Sequence, residues 1–495
     1  MKIPQEVETV MQALSQGGFE AAIVGGCVRD LLSKREPEDW DVATNATPEE
    51  VQKLFPENFY DNKFFTVTVK TKSENPKLKE IEITTYRTEF KYVDRRRPEE
   101  VKYAESLEED LSRRDFTVNA IALRPKPGLG REHPRPGLGL EVVDPFGGQK
   151  DLKAKLIRAV GSAEERFQED ALRMLRGVRL VSTLGFNLEP NTREAIKRNA
   201  ALVKEISQER IRDEFVKTIM SERAAFAIGE LQDLGLLEYI IPELLEGWGV
   251  TQNKHHIYTV WEHNIHSLEF AVKKGWSLEV RLASLLHDVA KPRVKKGEGA
   301  DSTFHGHDVA GARMVLTILS RLRFPKKTIE KVALLVRYHM FYYNVGEVTE
   351  YSVRKLVRNI GQENIEDLLE VRQADRIGSG VPKAEPYKLR HLRYMLEKVS
   401  QDPILPKMLA VKGNDVMEQL KIEPGPKVGH ILNILLEEIL EDPKRNKKEV
   451  LQKRIEDLGK LSNPELQKLS AKAKEGRVLV ETSRDEMTKQ KYWVT

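Results

Sequence analysis

The patterning of the chain changes once, near residue 150, and that change limits the folds open to it. Before it, short β-branched runs alternate with helical segments. After it, apolar residues recur at threes and fours through one helix after another, as in ALRMLRGVRLVSTLGF and AFAIGELQDLGLLEYI. An α+β head, a small mixed sheet with helices, followed by an all-helical remainder is therefore expected. The 495 residues suit about three domains.

Composition narrows the class. With 32% charged and 40% hydrophobic residues, the chain fits a folded soluble protein rather than a disordered, collagenous or membrane one. No run approaches the roughly 18 consecutive apolar residues of a membrane helix. The opening MKIPQEVETVMQALSQGGFE reads as an amphipathic helix without the apolar centre of a signal peptide. A cytoplasmic location and no membrane partner are expected. Cys27 is the single cysteine, so no internal disulfide forms, in agreement with a reducing compartment. The net charge of +4 permits a nucleic-acid partner without demanding one.

Within the first 150 residues, AAIVGG (21–26) reads as a strand ending in two glycines, and VRDLL then enters a helix. Further strands are expected at 64–71 and 81–85. The charged stretch 87–114 has no apolar periodicity and is expected to be a long mobile loop. The near repeat PKPGLG and PRPGLG, within 124–140, reads as a hairpin extension or linker.

Chemistry gathers around EDWDVAT. In an extended segment residues i and i+2 share a face, so Asp39 and Asp41 can converge on one divalent cation. Without a cation, two such carboxylates raise each other's pKa. On its own, Asp-x-Asp is also a common surface pattern. Gly25 and Gly26 can present backbone N–H groups to phosphate at a strand-to-helix turn, and Arg29 adds a cation one turn on, although a plain Gly-Gly turn with a surface arginine looks the same. A third carboxylate from a neighbouring strand would complete a metal clamp, and Glu82 in EIEITTYR is placed to supply it. Arg113, Arg114 and Asp115 open RRDFTVNAIAL, where a guanidinium can hold a triphosphate bidentately.

GGCVRDLL, DWD, the charged loop, RRDFTVNA and EDALRMLRGVRL, in that order, resemble the motif set of the class II CCA-adding enzymes. These are tRNA nucleotidyltransferases that share a polymerase-beta-like head with bacterial poly(A) polymerases. The resemblance is dense over residues 20–220. It implies a catalytic head (1–150), a helical neck that selects the nucleotide and binds RNA (151–245), an HD-type helical domain (246–400) and a helical tail that contacts tRNA (401–495). It also implies that Asp39 and Asp41 bind Mg2+, that Gly26, Arg29 and Arg114 hold the nucleotide, and that Asp170 and Arg173 select the base. Arg176 and Arg179 are placed near the nucleotide. The implied partners are tRNA, CTP and ATP. The oligomeric state is open.

These residue types suit the reaction. Transfer of a nucleoside monophosphate to a 3′-hydroxyl is an in-line displacement in which two metal ions stabilise the attacking and leaving oxygens. On one helix, Asp170 and Arg173 would be neighbours and could present a joint acceptor and donor edge. Cytosine and adenine match that edge with their amino groups, whereas uracil O4 and guanine O6 oppose it. An ordinary surface ion pair has the same spacing. Arg179 is expected nearly opposite Asp170 and so nearer the neck. The segment YVDRRRPEEV (92–101) looks like the flexible loop that CC-only relatives lack, which favours complete CCA addition over CC. A poly(A) polymerase on the same head is the nearest alternative.

Eight of the eleven histidines lie between His255 and His339. His263, His287-Asp288 and Asp375 resemble the H…HD…D pattern of HD-type phosphohydrolases, with His305, His307 and His339 as further ligand candidates. The pattern implies a second metal, Ni2+, Mn2+ or Co2+, and a second alternative, a metal-dependent phosphohydrolase with a nucleotide-binding head. A degenerate HD fold kept as an RNA-binding body has the same residues. The basic runs 291–296 and 444–448 are RNA-contact candidates that look no different from solvated faces.

Overall fold

A computed structural model of the chain describes residues 3–61, 66–93, 97–126, 139–253, 257–341, 343–344, 347–381, 383–399 and 406–470. Two compact units are formed. The first comprises Met1–Glu246, Val272–Leu278 and Ile318–Pro325, and the second Gly247–Ala271, Glu279–Thr317 and Lys326–Thr495.

In the first unit, α1 (Gln5–Gln16) forms because Val7, Val10, Met11 and Leu14 make one buried stripe. The strand β1 (Ala21–Val24) follows, wholly buried, then α2 (Gly26–Leu32), β2 (Asp41–Thr44) and α3 (Pro48–Leu54). A capping box between Thr47 and Glu50, with Pro48 in the first turn, starts α3. Then come β3 (Asn58–Asp61), β4 (Thr66–Lys70), β5 (Glu80–Thr85), β6 (Arg87–Val93), β7 (Arg97–Tyr103), α4 (Leu107–Ser112), β8 (Ala122–Pro125) and β9 (Leu140–Val143). Seven strands form one sheet in the order β3-β4-β5-β2-β1-β8-β9, in which only β2 and β5 run parallel.

Successive β1 residues serve opposite faces. Ala21 and Ile23 join a core with α1 to α3, and Ala22 and Val24 join a second core with Leu107, Leu111 and Tyr86. Both faces being covered, the central strands lack the polar alternation still seen in β5.

The stretch 87–114 corrects the expectation of a loop. β6 and β7 pair antiparallel with Arg87 opposite Tyr103 and Val93 opposite Arg97, and α4 follows, capped by Ser106. The charged sequence has no apolar alternation from which the strands could be read, and the ribbon is seen only in its backbone pairing. Residues 94–96, within the expected flexible loop, lie outside the described residues, as do 127–138 of the near repeat, whose flanks pair as β8 and β9.

Helices α5 (Gly148–Ala154), α6 (Ala163–Glu169), α7 (Leu172–Leu184), α8 (Pro190–Asn199), α9 (Gln208–Ile219) and α10 (Ala224–Asp233) complete the main part of this unit. Two residue pairs, Leu156–Ile157 and Asn187–Leu188, add a short parallel ladder.

The second unit is helical among its described residues. One hydrophobic core runs from Val353 to Leu466, so the expected boundary at 400 crosses continuous packing. Residues 471–495, the end of the expected tail, lie outside the described residues. No helix among the described residues is long and apolar enough to cross a membrane.

Candidate functional site

The parallel pairing of β2 and β5 places Asp41 directly opposite Glu82. Asp39 sits in a bend just before β2 rather than in the strand, yet its charge is felt by both. Burial, then Asp39 and Glu82, push the Asp41 carboxyl up to about 7, against the pull of Arg114. Burial and Asp39 also raise Glu82. Three carboxylates gathered here, with the charge of Asp41 and Glu82 opposed, suit a divalent cation: oxygen ligands of net negative charge are what Mg2+ and its relatives take.

The double glycine sets the opposite wall. Gly25, the residue before α2, has φ +83°, open to glycine at little cost. A Cβ there would stand 3.0 Å from Arg114 Nη1 and 3.2 Å from Asp41 Oδ2, so the guanidinium and the carboxylate approach across bare backbone. Arg114 is oriented by Asp110, buried at 1% exposure, whose Oδ2 lies 3.2 Å from Nη2 while Oδ1 lies 2.6 Å from Arg113 Nη2. Burial alone would raise the Asp110 carboxyl; Arg114 and Arg113 overcome it and hold it below its ordinary value. Arg29 Nη1 donates to Asn119 Oδ1 at 2.8 Å, and Asn119 in turn donates to Asp115 at 3.2 Å.

The selecting residues differ from the single-helix geometry expected of them. Helix α6 stops at Glu169, and Asp170 is its extended C-cap, with φ −145° and ψ 102°. Asp170 Oδ1 accepts from the backbone N–H of Leu172 at 3.1 Å and Oδ2 from Arg210 at 2.7 Å. Arg173, on α7, donates instead to Glu169 at 2.7 Å and to the Arg113 carbonyl at 3.1 Å. Arg176 and Arg179 share one partner: Arg176 Nε lies 3.4 Å from Glu214 Oε1, and Arg179 Nε donates to Oε2 at 2.6 Å. Helix α9 thus holds three of the expected residues through Arg210 and Glu214, one turn apart. Neither was singled out in the sequence. RIRDEF carries no signal beyond a helical face, and only the pairing reveals it.

In the second unit, His263 lies in the helix Val260–Lys273, His287 and Asp288 follow the helix Leu278–Leu286, and Asp375 lies in Ile365–Gly378. His307 begins one helix, and His339 follows directly on another, Lys326–Tyr338. Metal-ligating atoms of His263, His287 and Asp288 come within 4.8 Å of one another, as do those of Asp288, His307 and His339. Asp375 Oδ1 is 3.4 Å from His263 Nε2. His305 is exposed and outside both groups. The Nε2 atoms of His307 and His339 are buried without a hydrogen-bond partner and lie 3.3 and 3.7 Å from Asp288 Oδ1, while Asp288 Oδ2 is 2.6 Å from Lys291 Nζ and 3.1 Å from His263 Nε2. Buried acceptors converging from three segments fit a transition metal. Lys291, expected in a solvated basic run, is instead buried at 6% exposure.

Mixed sheet, strand-borne carboxylates and glycine turn together define a nucleotidyltransferase with a polymerase-beta-like head. Family models agree: residues 21–158 match the poly A polymerase head domain, 185–247 the probable RNA and SrmB-binding site of polymerase A, and 310–455 the putative tRNA nucleotidyltransferase domain 2. The chain is 32% identical to the CCA-adding enzyme of Bacillus cytotoxicus over 92% of its own length and 99% of the relative's. It is 38% identical to the A-adding tRNA nucleotidyltransferase of Deinococcus radiodurans over 67% of its length and 75% of the relative's. The crystal structure of the Bacillus stearothermophilus CCA-adding enzyme in complex with CTP matches with a TM-score of 0.63 at 29% identity, covering 92% of this chain and 98% of that one. The chain belongs to the CCA-adding enzyme family.

Proposed function

We propose that the protein completes tRNA 3′ ends with CCA, using CTP and ATP without a nucleic-acid template. The observation that carries this is Asp41 opposite Glu82 on parallel strands, with Arg114 meeting Asp41 across Gly25. Asp39, Asp41 and Glu82 would hold Mg2+, which when bound neutralises the phosphates and aligns the attacking and leaving oxygens. Arg29, Arg114 and the amides of Gly25 and Gly26 take up triphosphate charge. The RNA 3′-oxygen bonds to the α-phosphorus, the bond to the β-phosphate breaks, and pyrophosphate leaves.

Base choice rests on Asp170 with Arg173, backed by Arg176 and Arg179. Each Asp170 oxygen spends one acceptor site on Leu172 or Arg210, and each keeps another for the amino group of cytosine or adenine. With tRNA lacking its terminal trinucleotide, labelled CTP and ATP should both be incorporated, and Asp41→Ala should abolish this. Incorporation surviving Asp41→Ala would remove the head from the reaction. Incorporation of A only, and only onto RNA ending in CC, would assign the A-adding activity of the Deinococcus relative.

The buried His/Asp cluster supports a second reading for its own unit, a metal-dependent phosphohydrolase acting on RNA-end phosphates. Nickel or manganese with 2′,3′-cyclic AMP should then release product in the wild type and not in His287→Ala. Equal release by both would end that reading.

A further inference from the structure

The helix Tyr387–Val399 buries one side only. Leu389, Leu392, Met395, Leu396 and Val399 enter the core of the second unit. Their spacing gathers Tyr387, His391 and Tyr394, at i, i+4 and i+7, on the opposite side. Both tyrosines are open to solvent, Tyr387 at 62% and Tyr394 at 59% exposure. The His391 ring lies 5.9 Å from each of them and 5.9 Å from Tyr343, whose hydroxyl is hydrogen-bonded to His391 Nδ1. Single exposed aromatics are ordinary. Here four rings form one cluster: His391 stands between Tyr387 and Tyr394 in the helical row and also touches Tyr343.

The charge beside the row is one-sided. This helix carries Lys388, Arg390, Arg393 and Lys398 against Glu397. Arg393 is paired with Glu366 and Glu385, and Lys398 with Glu350. Lys388 and Arg390 are exposed, and among the described residues their hydrogen bonds go to the Asn344 side-chain oxygen and the Glu385 carbonyl rather than to a carboxylate. At about 100° per residue, they flank the aromatic row on its two sides. Rings for stacking with cations on either side complement bases with phosphates on either side. An apolar protein partner would want the rings without the uncompensated charges.

We infer that this face is a stacking platform for unpaired nucleotides of the RNA substrate, with bases on Tyr387 and Tyr394 and phosphates on Lys388 and Arg390. It rests on the reading above that the substrate is tRNA. The test is equilibrium binding of the full chain to a tRNA transcript lacking its terminal trinucleotide, over a range of salt, alongside the extension rate at saturating RNA. Y387A/Y394A should weaken binding by at least about tenfold, with the saturated rate unchanged. Y387F/Y394F, which keeps the stacking faces, should bind within about twofold of wild type. K388A/R390A should lower the slope of log affinity against log salt by about two. Unchanged RNA affinity in a Y387A/Y394A protein of normal melting temperature would overturn the inference, as would a Phe variant as weak as the Ala one. A change in oligomeric mass without loss of RNA affinity would overturn it too, by giving the face to a second copy of the chain. If the wild type binds the transcript but extends nothing, the proposed reaction fails while the binding comparison still decides the platform.

Discussion

Asp41 is the residue on which most of the site chemistry turns. Its carboxyl stands near 7 in the metal-free fold, above its ordinary 3.8. The folded state therefore binds more protons than the unfolded one between these values, and this group costs stability as pH rises through that interval. Asp41→Asn removes the cost. In the presence of a chelator the variant should melt higher than wild type above pH 7, by about 2–4 °C for each kcal/mol recovered, and the difference should vanish toward pH 4. A variant that melts lower at high pH would contradict the repulsive cluster. Protons and cation also compete for the same oxygens, so the magnesium needed for half-maximal nucleotide transfer should rise as pH falls below about 7. A requirement that stays flat across that range would remove Asp41 from the metal site.

Among the elements, α9 is the one whose role is invisible until it is packed. Glu214 is buried at 5% exposure between Arg176 and Arg179. Removing one partner of such a network leaves charge without compensation, so Glu214→Ala should cost about 3 kcal/mol by denaturant unfolding. It should also blur discrimination between CTP and UTP, which Glu214→Gln should largely restore. A stability loss under about 0.5 kcal/mol would place the pair among ordinary surface bridges. Much of the head was legible: the strand and glycine turn at 21–26, the strand at 81–85 and the carboxylates all follow from local pattern. The β6/β7 ribbon was not, because charged strands paired only with each other carry no apolar alternation. The break at Asp170 was not either, because helical periodicity continues through a residue whose backbone leaves the helix.

At the scale of the whole molecule, the two units carry separate polar centres. The first is open and carboxylate-lined, the second closed and imidazole-rich. The histidine spacings pointed to the second centre, and the buried Asp288, His307 and His339 come together in a group that could hold a metal. Protein purified without chelator should hold a transition metal that His287→Ala loses. Transfer supported by magnesium should persist in that variant within about twofold, since the altered atoms lie outside the first unit. Loss of transfer together with the metal would mean that the centres do not work separately.

The central claim is that one head, without a template, adds two different bases in a fixed order and stops. Sequencing the 3′ ends of tRNA lacking the trinucleotide, after incubation with magnesium, CTP and ATP, tests it most directly. Ends terminating uniformly at CCA, and at CC when ATP is withheld, are the predicted result. Long A tails from ATP alone, or A added only to RNA already ending in CC, would contradict it.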